Sequence, residues 1–181
     1  MKYELHFLNN IYDSIDSVNV EMDPFLDMFR REQYFDNCCI KHIICDLSNC
    51  FELLVKYRLM EEHWSLVFAD VNKASFVTYE NGDFVSVDIK SAISRVQNIC
   101  GVEQDFNAIK IVQQYRNRIM HYTLCDTTEE IIKNIANSMR EIKMFVETEI
   151  IESLPEEAKQ DFEKAMKDYS DNANRLEELK F

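Results

Sequence analysis

Two glycines, Gly82 and Gly101, and two prolines, Pro24 and Pro155, serve a chain of 181 residues. Sandwiches, barrels and dinucleotide-binding sheets depend on tight turns and glycine loops, and a chain this poor in both residues cannot supply them. Long helices with short polar connections are what remains. Hydrophobic residues make up 46% of the chain, enough for a shared core. The expected fold class is therefore all-α, a helical bundle.

Hydrophobic spacing divides the chain into elements. Leu8, Ile11, Tyr12 and Ile15 have helical spacing, and Asp23-Pro24 reads as the start of a further helix, with Asp as cap and Pro in the first turn. Residues 37–63 carry the longest periodic stripe, Ile40, Ile44, Leu47, Phe51 and Leu54. Around residues 75–87 the period changes. Asn81-Gly82 stands between β-branched and aromatic residues, the pattern of a small β-hairpin; an extended loop is the alternative. Asp88 caps a short helix holding Ile89, Ile93 and Val96, with Gly101 as its stop. The next helix spans residues 104–122 on a stripe of Ala108, Val112, Tyr115, Ile119 and Tyr122. Thr127 to Glu130 form a capping box before Ile131, Ile135, Met139, Ile142 and Val146. Ser153-Leu154-Pro155-Glu156 opens a last helix with Phe162, Met166, Tyr169, Ala173 and Leu176 inside. The expected organisation is a bundle over residues 1–152 and a charged C-terminal helix over 153–181, an appendage packing on the bundle or on a second protomer.

The net charge of −13 argues against a general nucleic-acid coat protein, which carries a basic surface, and favours a basic protein partner. No apolar run reaches the roughly 18 residues of a membrane span, so no membrane partner is expected. Residues 1–10 lack the basic-then-apolar pattern of a signal peptide, and the chain is placed in the cytoplasm, where its six cysteines would be reduced thiols.

One stretch departs from the acidic background. Residues 106–125 contain no Asp or Glu, although at 33 acids in 181 residues such a stretch would hold three or four. It contains Lys110, Arg116, Arg118 and His121 instead, the composition of an anion site. A buried helix would also avoid acids, but it would avoid arginines too. Asn117 and His121, four apart, share a helix face, while Arg116 is turned about 140° from His121. An imidazole can take or give a proton at neutral pH, a guanidinium can grip a phosphate and stabilise developing charge, and an amide can orient either. With the 2′-hydroxyl of RNA as nucleophile, such a set cleaves RNA without a metal or cofactor and leaves a cyclic phosphate. Lys110, Arg118 and Tyr122 are the expected substrate-binding residues around it.

The segment Arg116-Asn117-Arg118-Ile119-Met120-His121 resembles the signature of the HEPN superfamily: an arginine, a polar residue, a short spacer, then histidine, late in a helical bundle. Leu53-Leu54-Val55-Lys56-Tyr57-Arg58-Leu59 and Glu62-His63-Trp64-Ser65-Leu66 are similar to segments of bacterial HEPN-like proteins. The resemblance covers about residues 37–150. It implies a mostly α-helical homodimer in which two motifs form one cleft, with Arg116, Asn117 and His121 catalytic. It further implies an endoribonuclease acting as a toxin or antiphage effector, with an antitoxin or other regulatory protein as partner. Other members of the superfamily are inactive protein- or nucleotide-binding modules. Family toxins silenced by a partner nucleotidyltransferase carry tyrosine two places after the histidine; here that place is Thr123, and Tyr122 comes directly after His121.

Other clusters carry less. Cys38, His42 and Cys45 lie on one face of one helix, where three ligands close badly around tetrahedral zinc, and small buried thiols are the simpler reading. His63-Trp64 fits a helix end with Trp64 in the core. The acids of the last helix, Glu156, Glu157, Asp161, Glu163, Asp168 and Asp171, read as a solvated face or as a docking surface for a basic partner. With only two glycines there is no phosphate-binding loop, and no HExxH motif is present.

Overall fold

The computed structural model describes residues 7–32 and 36–179. Seven α-helices make up most of it: α1 (Phe7–Glu32), α2 (Asn37–Glu62), α3 (Phe76–Asn81), α4 (Ile89–Asn98), α5 (Asn107–His121), α6 (Thr128–Phe145) and α7 (Glu156–Glu177). Strand pairing among the described residues is limited to one antiparallel bridge, Phe68 to Ser86. No described helix is long and apolar enough to cross a membrane. The all-α expectation is met.

The chain divides into two compact units, one drawn from Met1–Phe51 with Phe106–Phe181, the other from Glu52–Asp105. The expected boundary at residue 152 is not where the units part: α7 lies in the first unit, packed on α6 and α1. Phe162, Ala165, Met166, Tyr169, Ala173 and Leu176 bury its inner stripe, and its acids line the other side. Asn172 Nδ2 donates to Asn19 Oδ1 at 3.0 Å, and Arg175 Nη1 to Asp23 Oδ1 at 2.6 Å, so polar pairs also tie α7 to α1.

Asp23-Pro24 does not start a helix. Pro24 lies inside α1, which runs unbroken through it. An interior proline loses one backbone hydrogen bond and costs roughly 3 kcal/mol. Against that, Ile11, Ile15, Val18, Met22, Phe25, Leu26 and Phe29 are all buried along one stripe spanning both sides of the proline. Each such side chain gains about 1.5–3 kcal/mol on burial, so the stripe outweighs the proline several-fold. Pro24 sits on the exposed side, where the freed carbonyl meets water.

In the smaller unit the expected hairpin is replaced by a helix and an extended segment. Phe76–Asn81 form α3, and Gly82, at φ +69°, is its left-handed C-cap, donating its N–H to the carbonyls of Thr78 and Tyr79. The Asn-Gly pair thus ends a helix instead of turning a hairpin. The cause is aromatic packing: Phe76 and Tyr79, three apart, meet Trp64 at ring-centroid distances of 5.6 and 5.5 Å, which a helix face allows and strand alternation does not. The extended segment after Gly82 pairs with residues 67–69 instead, through Ala69 N to Val85 O and Val87 N to Val67 O. Arg95 of α4 holds residues 66–69 in turn by donating to the carbonyls of Leu66, Phe68 and Ala69. Asp88 caps α4 by accepting from Ser91 N at 3.0 Å, as its position suggests. Gly101 (φ +75°) lies beyond the end of α4, which stops at Asn98.

Pro24→Ala restores the missing helical N–H without touching the buried stripe. It is expected to raise unfolding stability by about 2 kcal/mol, the interior-proline cost less the entropy proline removes from the unfolded chain. Urea unfolding of the two proteins measures it; an unchanged or lower midpoint would contradict the account of α1.

Candidate functional site: the outward face of α5

Helix α5 carries the motif, and hydrogen bonds hold it at its start and again at Tyr115. At its N-terminus, where the first backbone N–H groups lack helical partners, both carboxylate oxygens of Glu141 accept hydrogen bonds: Ala108 N to Oε1 and Ile109 N to Oε2, each 2.9 Å. Two turns further on, Tyr115 Oη donates to Asp126 Oδ2 at 2.7 Å and accepts from Asn134 Nδ2 at 3.0 Å. Asp126 Oδ1 accepts from Thr127 N, and the Thr127 hydroxyl accepts from Glu130 N to cap α6. The expected capping box is thus half formed, Asp126 taking the role foreseen for the Glu130 side chain. The hydrogen bond from Tyr115 holds the Asp126 carboxyl below its ordinary range, helped by the bond from Thr127 N and by the charge of Arg118. Burial, with the bond to Asp126, pushes the Tyr115 phenol up to about 12.

Between these two anchors α5 buries Ala108, Ile109, Val112, Gln113 and Tyr115. Its opposite face carries Asn107, Gln114, Asn117, Arg118 and His121, all exposed, with Lys110 and Ile111 half-buried. At 100° per residue these seven fall within about 120° of one another. The absence of acids is therefore not a by-product of burial, because the acid-free stretch presents a solvent-facing side. The expected stripe fails at its last member: Tyr122 is 90% exposed, since α5 ends at His121 and the chain turns away.

The motif residues do not all converge. Arg116 Nη1 donates to Asn117 Oδ1 at 3.1 Å, so these two are joined. Arg116 also lies close enough to Cys45 of α2 for its charge to oppose the rise that burial imposes on that thiol. Arg118 is near enough to Asp126 for its charge to help hold that carboxyl down. Lys110, Asn117 and His121, spaced by seven and four, share the outward face, whereas Arg116 is set about 140° from His121 around the axis. Arg118 and His121 in the last turn also suit the negative end of the helix dipole. Neither Glu141 nor the Tyr115–Asp126–Asn134 link has a signature in the sequence, where Tyr115 is one more position of an apolar stripe.

The cysteines of the expected cluster are not buried thiols: Cys38 is exposed and Cys45 half-buried, since this part of α2 turns them toward its outer side. Cys38 Sγ stands 4.0 Å from His42 Nε2, and His42 Nδ1 faces Glu21 at 3.5 Å, but no group of three or more His, Cys, Asp or Glu suited to a metal ion occurs among the described residues. His63 caps the short helix Trp64–Val67, accepting from Ser65 N. Trp64 is the hub of the aromatic cluster in the smaller unit.

No family model matches the chain, and neither a curated protein nor a solved structure matches it.

Tyr115→Phe removes both hydrogen bonds of the phenol and is expected to lower stability at pH 7. Because Asp126 titrates lower in the folded protein, its part of that stability is present above the ordinary aspartate range, near pH 4, and is lost as pH falls through the depressed value. The gap between wild type and variant in urea unfolding is therefore expected to narrow between pH 5 and pH 2. A gap that stays constant over that range would remove Asp126 from the account.

Proposed function

We propose that this protein is a metal-independent endoribonuclease of HEPN type, acting on RNA at the end of α5. The observation that carries the reading is the exposed, acid-free face of α5 in a chain of net charge −13, with Asn117 and His121 on that face and Arg116 bonded to Asn117. A biological role as a toxin or antiphage effector, controlled by an antitoxin or other regulatory protein, follows from the resemblance of residues 116–121 to that superfamily.

In this reading His121 accepts the proton of a ribose 2′-hydroxyl, whose oxygen attacks the adjacent phosphorus. Arg116 stabilises the charge that builds on the phosphoryl oxygens, and Asn117 orients Arg116. The bond from phosphorus to the 5′-oxygen breaks, that oxygen takes up a proton, and the products are a 2′,3′-cyclic phosphate and a 5′-hydroxyl. Lys110, Arg118 and Tyr122 would contact the flanking chain. The angular separation of Arg116 from His121 is answered by a second copy: a two-fold homodimer that faces the ends of two α5 helices brings Arg116 of one chain to His121 of the other. Met120 and Tyr122, 54% and 90% exposed beside the motif, are apolar surface suited to such a contact.

The same separation favours a second reading, a catalytically silent HEPN-like module that binds a nucleotide or protein through this face. Cleavage decides between them. The purified wild type in EDTA is expected to cleave RNA and leave cyclic-phosphate ends, with His121→Ala and Arg116→Ala each slower by about 100-fold or more at unchanged melting temperature. Mixing the two variants is expected to restore roughly a quarter of wild-type activity, since half of all dimers then pair one variant with the other and each of these holds one intact composite site out of two. Folded wild type that leaves RNA intact would favour the silent module, and active enzyme without rescue on mixing would reject the composite cleft.

A further inference from the structure

Beside the outward face of α5 lies a cleft of about 390 Å³ between α5 and α6, lined by Asn107, Ala108, Ile111, Asn134, Asn137, Arg140 and Glu141. We propose that this cleft receives an unstacked adenine base of single-stranded RNA, held by the amides of Asn107 and Asn137, and that it sets sequence preference a few nucleotides from the scissile bond. The inference rests on the ribonuclease reading only for the scissile bond; the binding of the base stands by itself.

The placement comes first. Asn107, Ile111, Gln114, Arg118 and His121 follow one another at spacings of four, three, four and three, a single strip along α5. The cleft sits at one end of that strip and His121 at the other. From Ile111 to His121 is about 15 Å along the axis, the length of about four stacked nucleotides. A strand laid along the strip would pass Gln114 and Arg118 on the way and meet no carboxylate of α5.

The chemistry comes second. The cleft has two charged lining groups, and neither is available to a ligand as a free charge. Both carboxylate oxygens of Glu141 accept from the first N–H groups of α5. The guanidinium of Arg140 is taken up by Glu177, by Asn174 Oδ1 at 3.1 Å and by Asn137 Oδ1 at 3.4 Å. The amides are differently placed. Asn107 is exposed, and its side chain makes no hydrogen bond among the described residues. Asn137 leaves Nδ2 unpaired, and Asn134, whose Nδ2 serves Tyr115 and Glu130 O, leaves Oδ1 unpaired. The unspent groups are thus amide donors and acceptors, with Ile111 and Ala108 as an apolar floor. Amide side chains pair with the adjacent amino group and ring nitrogen of adenine, whereas guanine is best read by a free guanidinium, which is absent from this cleft. Single-stranded RNA offers these base edges because its bases can be splayed out of the stack.

The test is binding of fluorescein-labelled 2′-O-methyl hexanucleotides, A6 and U6, to the full-length protein in EDTA, followed by anisotropy. The 2′-O-methyl group removes the nucleophile, so wild-type protein can be used without turnover. A6 is expected to bind about tenfold more tightly than U6. Asn107→Ala and Asn137→Ala are each expected to cut that preference to threefold or less with U6 affinity unchanged, and Arg118→Ala to weaken both strands alike. Thermal melts of each variant show that the fold persists. Equal affinity for A6 and U6, a preference that survives both asparagine changes, or no binding of either strand would each overturn the proposal. Binding with adenine preference, but no cleavage of the unmodified A6, would sink the ribonuclease reading and leave the base cleft standing. Cleavage without base preference would do the reverse.

Discussion

Three phenylalanines fix where α5 begins. Phe51 of α2, Phe106 just before α5 and Phe145 at the end of α6 meet at ring-centroid distances of 5.0, 6.2 and 5.4 Å, in tilted and edge-on arrangements, and all three are fully buried. Pairs of this geometry add roughly 0.5–1.5 kcal/mol beyond the burial of their area, and the orientation they impose is directional where aliphatic packing is not. Phe106 is thereby held in the core, and the next residues have one direction in which to run: along α6. Glu141, one turn before Phe145, then meets the open N–H groups of α5, and Tyr115 ties the middle of the helix to Asn134 and Asp126. The outward face depends on this pinning, because a helix held at its start and again at Tyr115 cannot roll to hide Asn117 or His121.

The same arrangement explains why burial and exposure alternate so cleanly along α5 and then stop. Its buried side is short, from Ala108 to Tyr115, because α6 starts only at Thr128 and the linking residues must travel back beside the last turn. Beyond Tyr115 the helix continues for six residues with little to pack against, and these are the motif residues. Ile119 is only half-buried, and Met120 and Tyr122 are exposed. A helix end that extends past its own core in this way leaves Met120 and Tyr122 as apolar side chains on the surface.

Most of this frame could be read from the sequence, and the failures have identifiable causes. The stripe Ile40, Ile44, Leu47, Phe51 and Leu54 is buried throughout, and so is Phe162, Met166, Tyr169, Ala173 and Leu176, because long amphipathic helices write their burial into their spacing. Pro24 and Asn81-Gly82 misled because each is a local signal overruled by packing: the α1 stripe spans the proline, and Trp64 gathers Phe76 and Tyr79 into a helix. The motif residues were visible as an acid-free stretch, but their directions were not. That Arg116 leans toward Cys45 depends on where α2 passes, and that Glu141 faces the start of α5 depends on how α6 folds back. Neither pairing has a local pattern, since the partners are 71 and 33 residues apart or close to it and meet only once the bundle has formed.

The proposed RNA chemistry sets an acidic protein a problem of attraction. With −13 overall, long-range steering works against a polyanion, although beyond about 10 Å at 0.1 M salt that repulsion is largely screened. Many carboxylates are also matched locally, as in Lys143 with Glu147, Arg175 with Asp23 and Lys56 with Glu52, which trims the field near the surface further. What remains is contact chemistry. The α5 face offers few cations, so it cannot hold RNA by phosphate neutralisation in the way basic proteins do. It offers amides in quantity: Asn107, Gln114, Asn117, and Asn134 and Asn137 beside them. Amides read bases and orient groups but add little net charge, so a face of this kind trades general affinity for selection. On the ribonuclease reading proposed above, such a face would leave most RNA alone and act only where an exposed single strand presents the right base at the right distance from His121.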